Sequence, residues 1–300
     1  VTAVVSSSFR ITQRSLGQRS LAGLQGNLGR LGDIQQRLSS GKQISKPSDS
    51  PTGTVSAMQL RSEIKTNEQW SRNATDGLGW LGTVDQTLTG SLNFVRKARD
   101  LTLQGLNGAT SPEAREALAV EVDGIREGLI GLANTTYLDR PVFGGTTSGG
   151  RAYDADGQYV GTGTGVFRTV GADASVRVDH TGPEVFGPAG GDMFTVLASI
   201  AASLRSGDTS ALSTDLTDLD GAMRRVQNKL AEVGARYNRT EQMLQGAEDR
   251  VLTLTNTLSG VEDIDLPKTV VDLKMQQMAY EAALGATQRI ITPSLADFLR

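Results

Sequence analysis

The chain has no cysteine. That one absence removes disulfides, thiolate nucleophiles, iron–sulfur clusters and thiolate zinc sites. A single histidine, His180, leaves no site that needs two imidazoles, HExxH included. Aromatic residues make up only 5% of the chain, so its cores are expected to be aliphatic and slender. No apolar run reaches about 18 residues, so no membrane-spanning helix is expected. Net charge is −3 and pI about 5.4, which leaves the molecule without a nucleic-acid footprint. The opening VTAVVSSSFRITQRS has no charged start followed by a long apolar run, so it does not read as a Sec signal. Arg10, Arg14, Arg19 and Arg30, with no acid before Asp33, have the composition of an organellar transit peptide. The leucine pattern runs past any usual cleavage point.

What is present is periodic. With 38% hydrophobic residues and 35 glycines in 300, about half the chain is apolar, as in folded proteins. Five regions separate. In residues 1–46, Leu21, Leu24, Leu28, Leu31 and Leu38 form a heptad-like stripe, with Gln35 at the missing position. Gly17, Gly23, Gly26, Gly29 and Gly32 share that segment and cost it about 5 kcal/mol of helix propensity together. Such a helix orders only when packed, although glycines also permit close helix–helix approach. The segment LSSGKQISKPSDSP, Leu38 to Pro51, then breaks the pattern.

Residues 47–138 read as helices. Leu78, Leu81, Leu88, Leu92 and Val95 continue one stripe, and Ser111-Pro112-Glu113 marks a helix start before Leu118, Val122, Ile125, Leu129 and Leu132. Residues 139–192 change character. Glycine pairs and the β-prone runs GQYVG, GVFRTVG and ASVRVDH predict a small antiparallel β domain inserted between helices.

Residues 193–264 carry the longest repeat. Leu212, Leu216, Leu219, Met223, Val226, Leu230, Val233, Tyr237, Thr240, Leu244, Ala247, Val251, Leu254, Leu258 and Val261 run 4-3-4-3 without a slip. A strict seven-residue repeat implies coiled-coil-like packing, and 50 residues make a rod of about 75 Å. One helix cannot bury its own stripe, so the second and fourth regions are expected to pack antiparallel. Residues 265–300 form a second amphipathic stretch carrying Val270, Leu273, Tyr280, Leu284, Ile291, Leu295 and Phe298. The predicted fold is mainly α, an elongated antiparallel helical bundle with a small β insertion.

The chain ends differ in charge. Residues 1–46 hold seven bases against Asp33, and residues 261–300 hold six acids against four bases. Two amphipathic helices of opposite bias are expected to pair, the stripe supplying affinity and the charges register. A basic leucine-striped helix lying on an anionic membrane surface is the competing reading. Candidates for chemistry are few. Adjacent strand residues point to opposite faces, so Asp179-His180 reads as a surface histidine near a turn rather than a base and its orienter. GTGTG at 161–165 lacks a following helix and reads as a hairpin turn, not a phosphate loop. Trp70 and Trp80 read as buried helix-face residues, and Glu241 and Glu248 as one solvated side. Asn73, Asn134 and Asn238 open glycosylation triplets of the kind that arise by chance. No catalytic set, metal site or cofactor site emerges, and the chain does not read as an enzyme.

LSSGKQISKPSDSP resembles the segment that follows the N-terminal helix in flagellin-related proteins, with Ser50 where a second aspartate often stands. FVRKARDLTLQGLNGATSPEAR, 94–115, and ANTTYLDRPVFGGT, 133–146, are similar to that family's central helix and its joint to the outer domain. EDIDLPKTVVDLKMQQMAYEAALGATQRIITPSLADFLR and GGDMFTVLASIAASLRSGD resemble the family's subunits at the hook–filament junction more than its bulk filament subunits. The resemblance covers nearly the whole chain and is loosest over 147–190. It implies type III export without a cleavable signal, an extracellular flagellar location, and terminal segments that are disordered in the monomer and order on assembly. It also implies partners: the hook-side adapter, flagellin, copies of itself in a ring, and a cytoplasmic export chaperone on the C-terminal segment. Flagellin itself, or a type III secreted adhesin or effector, is the alternative.

Overall fold

The computed structural model describes residues 13–147 and 150–298. Seven helices and four short strands follow in the order α1 Gln13–Ser40, α2 Pro51–Gly105, α3 Pro112–Ala133, β1 Thr136–Tyr137, β2 Arg140–Pro141, β3 Phe167–Thr169, β4 Ser175–Arg177, α4 Gly182–Phe186, α5 Met193–Ser206, α6 Thr209–Glu262 and α7 Leu266–Phe298. They divide into two units. One runs from Lys65 to Leu252; the other combines the residues up to Ile64 with those from Thr253 onward.

In the Lys65–Leu252 unit the long helices lie antiparallel. Gly77 of α2 faces Thr240 of α6, while Arg99, further along α2, reaches back to Asp220 of α6 at 2.7 Å. The seven-residue repeat of α6 resolves into two unequal rows. Leu212, Leu219, Val226, Val233, Thr240, Ala247 and Leu254 are buried, whereas Leu216, Met223, Leu230, Leu244, Val251 and Leu258 are half-buried. Tyr237, expected in the core, is exposed: it belongs to the second row, which sits at the edge of the contact. Thr240 fits the deep row because its hydroxyl donates to Arg236 O within its own helix.

Helix α3 starts where the sequence marks it, with Ser111 Oγ accepting from Ala114 N at 3.3 Å. It packs on α5, and Arg205 of α5 forks to Glu116 at 3.2 Å and Asp123 at 2.7 Å. Trp80 is buried in the same core, edge-on to Tyr137; Trp70 is half-buried.

The insertion has less strand than its β-prone runs suggest. β1–β2 and β3–β4 are separate two-stranded antiparallel ladders, the second pairing Phe167 with Arg177 and Thr169 with Ser175. GQYVG contributes one bridge, Tyr153 to Tyr159. GTGTG is not a hairpin turn, because Thr162 bridges Gly145 in parallel and accepts from Thr146 N. The rest is held by rings. Phe143, Tyr153, Tyr159, Phe186 and Phe194 meet mainly edge to face at 4.9–5.7 Å between centroids. An expectation of purely aliphatic cores therefore fails here, since five of the chain's two Trp, five Tyr and seven Phe gather in one cluster. Edge-to-face rings bury large area and fix mutual orientation without long strands.

Candidate assembly interface

The break after α1 is built residue by residue. Gly41 has φ +70°, and its N–H bonds Arg37 O at 2.9 Å, ending α1 in the left-handed turn that favours glycine. Asp49 Oδ2 accepts from Ser45 N and Lys46 N, both at 3.0 Å, closing the loop. Those two N–H donors hold its carboxyl below the usual range. Ser50 Oγ accepts from Gly53 N at 3.1 Å and Pro51 opens α2, which satisfies the first-turn donors. Ile44 folds back onto that turn, and a Cβ on Gly53 would meet Ile44 Cδ1 at 2.5 Å and Ser50 Oγ at 2.8 Å. Each punctuating residue of LSSGKQISKPSDSP therefore has a geometric task.

This loop is fastened to the joint between α6 and α7. Glu262, almost fully buried, takes Lys42 Nζ at 2.9 Å and Arg61 at 2.7 Å. Its backbone carbonyl accepts from Gln43 N at 2.7 Å, and Ile264 N donates to Gly41 O at 3.0 Å. Burial pushes the Glu262 carboxyl up, but the hydrogen bonds and charges of Lys42 and Arg61 outweigh it, and the net shift is downward. Sequence reasoning missed this node. Its only signal was an acid at the end of a long apolar repeat.

Beyond the clasp, α1 and α7 pack antiparallel: Gly41 pairs with Ile264, and Gln276 Nε2 donates to Asn27 O at 3.1 Å. The seam on α1 runs through Ser20, Leu24, Asn27, Leu31, Ile34 and Leu38, all half-buried at 4-3-4-3-4 spacing. Leu24, Leu31 and Leu38 are placed as expected. Leu21 and Leu28 are not, being 56% and 51% exposed one position off the seam; Ile34, not Gln35, completes it. On α7 the seam is Leu273, Gln276, Tyr280, Ala283 and Thr287, with Leu284 exposed at its edge. The side chains of Ile291, Leu295 and Phe298 lie outside the described residues. No ion pair joins α1 to α7 among the described residues, so register comes from the Asn27–Gln276 amides and the Gly41–Ile264 pairing, not from opposite charges.

Two features of this pair point outward. The far side of α7 carries Val271, Met275 and Met278 at 4-3 spacing, all exposed, so the helix is apolar on both sides. Sequence reasoning missed that second row, although its 4-3 spacing, displaced two residues from the seam, was there to be read. Second, a Cβ at Gly17, Gly23, Gly26, Gly29 or Gly32 would meet nothing within 4 Å. Close approach to α7 is therefore not what these glycines serve.

The insertion holds a different cluster. Val178, Asp179 and His180 are consecutive and buried, so both faces of this extended stretch are covered and His180 is not at the surface. Asp179 takes Val166 N at 2.8 Å and Arg177 Nε at 3.0 Å. Burial still pushes its carboxyl up. Arg177 also forks onto Glu184, which caps α4 by accepting from Thr181 N. Burial raises the Glu184 carboxyl, but those bonds more than offset it, to about 2. His180 lies 3.7 Å from Glu184 Oε2 on one side and 3.7 Å from Glu232 Oε2 on the other. Neither ring nitrogen has a hydrogen-bond partner. Burial, reinforced by Arg236 and Lys229, pushes the imidazole down to about 4. An imidazole without an orienting acceptor or a reachable substrate is no general base.

Asn134 is likewise structural: its Oδ1 accepts from Ala152 N and Tyr153 N at 2.9 Å, and its Nδ2 donates to Tyr153 O. Among the described residues no group of three or more His, Asp or Glu is placed to hold a metal, and no helix is long and apolar enough to cross a membrane.

Residues 13–143 match the bacterial flagellin N-terminal helical region. Flagellar hook-associated protein 3 of Escherichia coli K12 is 26% identical over 303 residues, covering 93% of this chain and 96% of that protein. Flagellin FlaB2 of Treponema pallidum is 25% identical over 304 residues, covering 98% of each. Among solved structures, a putative flagellar hook-associated protein from Vibrio parahaemolyticus superposes with a TM-score of 0.66 at 20% identity, covering 72% of this chain and all of that one. Bacillus cereus FlgL superposes with a TM-score of 0.60 at 23% identity, covering 67% of this chain and 99% of that one. The two structures share this chain's fold.

Proposed function

From the match of residues 13–143 to the bacterial flagellin N-terminal helical region, we propose that the chain belongs to the flagellin family and is the structural subunit joining hook to filament, and that its terminal helix pair is the surface by which it assembles. The observation that carries the assembly reading is the exposed apolar row Val271, Met275 and Met278, backed by Leu21 and Leu28 on the partner helix. Exposed rows of this kind on a helix mark a protein interface. The occupants are neighbouring axial proteins: the hook-side adapter below, flagellin above, and copies of the chain in a ring.

Residues 1–46 and 265–300 are the assembly segments in this reading. The glycines of α1 leave it too weak to hold alone, so it orders as it docks; burial of the leucine and methionine rows offsets the lost conformational entropy. The chain leaves the cytoplasm through a type III apparatus, and a chaperone covers α7 before export. A bulk filament subunit is the second reading, favoured by the likeness to FlaB2 along almost the whole chain.

Leu28→Asp tests the proposal. The side chain is half exposed, so the variant is expected to fold, with amide protection over 212–252 unchanged, yet to leave cells without attached filaments. Motile cells carrying Leu28→Asp would sink the terminal-helix reading. Filaments formed by the purified chain alone would favour the bulk-subunit reading.

A further inference from the structure

Between α5 and the first half of α6 lies a cleft of about 510 Å³, with Gly190 and Gly191 on one side. That volume falls within the roughly 300–1,000 Å³ of small-molecule clefts. Two adjacent arginines line it, and among the described residues no other side chain uses them. Arg225 makes no hydrogen bond or ion pair, and its Nε is buried without an acceptor. Its Nη2 would stand 2.9 Å from a Cβ on Gly187, where φ is +105°, so a glycine leaves the space this guanidinium occupies. Arg224, exposed on the cleft wall, has no acid within ion-pair distance among the described residues. A buried guanidinium edge without an acceptor bears its full desolvation cost until a ligand supplies one.

The neighbouring acids do not fill that role. Asp215 is buried and already holds the hydroxyls of Ser199 and Ser203 at 2.8 Å each. Asp218 is exposed on the cleft wall. The N-terminal N–H groups of α5 are no anion site either, because Asp192 takes those of Phe194 and Thr195. Two arginines that donate to a carboxylate, beside a free carboxylate that accepts from hydroxyls, suit a ligand bearing one negative charge and several hydroxyls. A phosphate ester would bring a second negative charge against Asp215 and Asp218. We propose that this cleft binds a sugar acid of the hexuronate class, its carboxylate held by Arg225 and Arg224 and its ring hydroxyls by Asp218.

The test titrates the full chain, ¹⁵N-labelled, with sodium glucuronate, glucose and sodium acetate at constant ionic strength. Glucuronate is expected to shift the amides of Gly190, Gly191 and Thr217, and to bind at least about tenfold more tightly than glucose or acetate. Arg225→Gln is expected to weaken glucuronate by about tenfold. Glucose or acetate matching glucuronate would overturn the proposal. So would a glutamate-containing peptide that displaces glucuronate at lower concentration, since the cleft would then take a protein carboxylate. If Arg225→Gln does not fold, the exposed Asp218→Asn carries the test: weaker glucuronate with unchanged acetate supports the assignment, and unchanged glucuronate refutes it.

Discussion

Replacing His180 with leucine is expected to remove an acid weakness from the Lys65–Leu252 unit. In the folded chain the imidazole is only 1% exposed and both its nitrogens are unpaired. Its surroundings are mixed: Glu184 on α4, Glu232, Arg236 and Lys229 on α6, and Asp179 and Arg177 beside it in sequence. Burial and the two cations of α6 win, and the group falls from 6.5 to about 4. The unfolded chain therefore binds the proton first as pH falls. Stability is full above about 6.5 and is lost progressively toward 4, a drop of roughly 2.5 pH units at about 1.4 kcal/mol each, or about 3 kcal/mol. Glu184 acts in a lower window, from 4.5 to about 2, where its depressed carboxyl loses its contribution. Asp179, raised by burial, has the opposite sign: its contribution is full below its ordinary range and fades as pH climbs through its folded value.

Comparing urea unfolding of the native chain with His180→Leu between pH 7 and pH 4 cancels most of the carboxylate terms. The native chain is expected to lose about 3 kcal/mol relative to the variant over that interval. Because the chain has a single histidine, the Hε1 resonance of the folded protein reads the same quantity directly. A midpoint at or above 6.5, or two unfolding curves that stay parallel across the range, would refute the argument.

Glu262→Gln removes the charge that Lys42 and Arg61 share. Both cations are about half exposed and rehydrate, so the expected cost is about 1 kcal/mol, read as faster tryptic cleavage after Lys42. Gly53→Val drives a side chain into Ile44 and Ser50. A cost of about 2 kcal/mol is expected to appear as lost amide protection at Gly53 and Thr54, with none lost at Val226 or Val233.

The parts that were legible in the sequence are those fixed by local rules. The repeat of α6 put Leu212 to Leu258 on one side of the helix because apolar spacing determines which residues share a face, but it did not separate the buried row from the edge row that holds Tyr237. Ser111-Pro112-Glu113 located the start of α3. The parts that were illegible depend on what lies opposite. Alternation puts Asp179 and His180 on different faces, but it does not say that each face is covered. Leu21 and Leu28 share a stripe with Leu24 and Leu31 at the precision of heptad counting; only the actual partner helix separates seam from flank. The Glu262 node joins residues 220 positions apart, a distance at which a lone acid carries no visible partner.

The clasp also has a mechanical reading. A pull along α1 reaches the body of its unit through Gly41 and Lys42, and a pull along α7 reaches it through Glu262 and Ile264. Both loads therefore arrive at one carboxylate and three backbone bonds, with Arg61 of α2 as the anchor behind them. Tension on either terminal helix is shared by the other before it meets the long repeat of α6. If the chain joins hook to filament as proposed, torque would enter at this node, where Lys42 of one terminal segment meets Glu262 of the other.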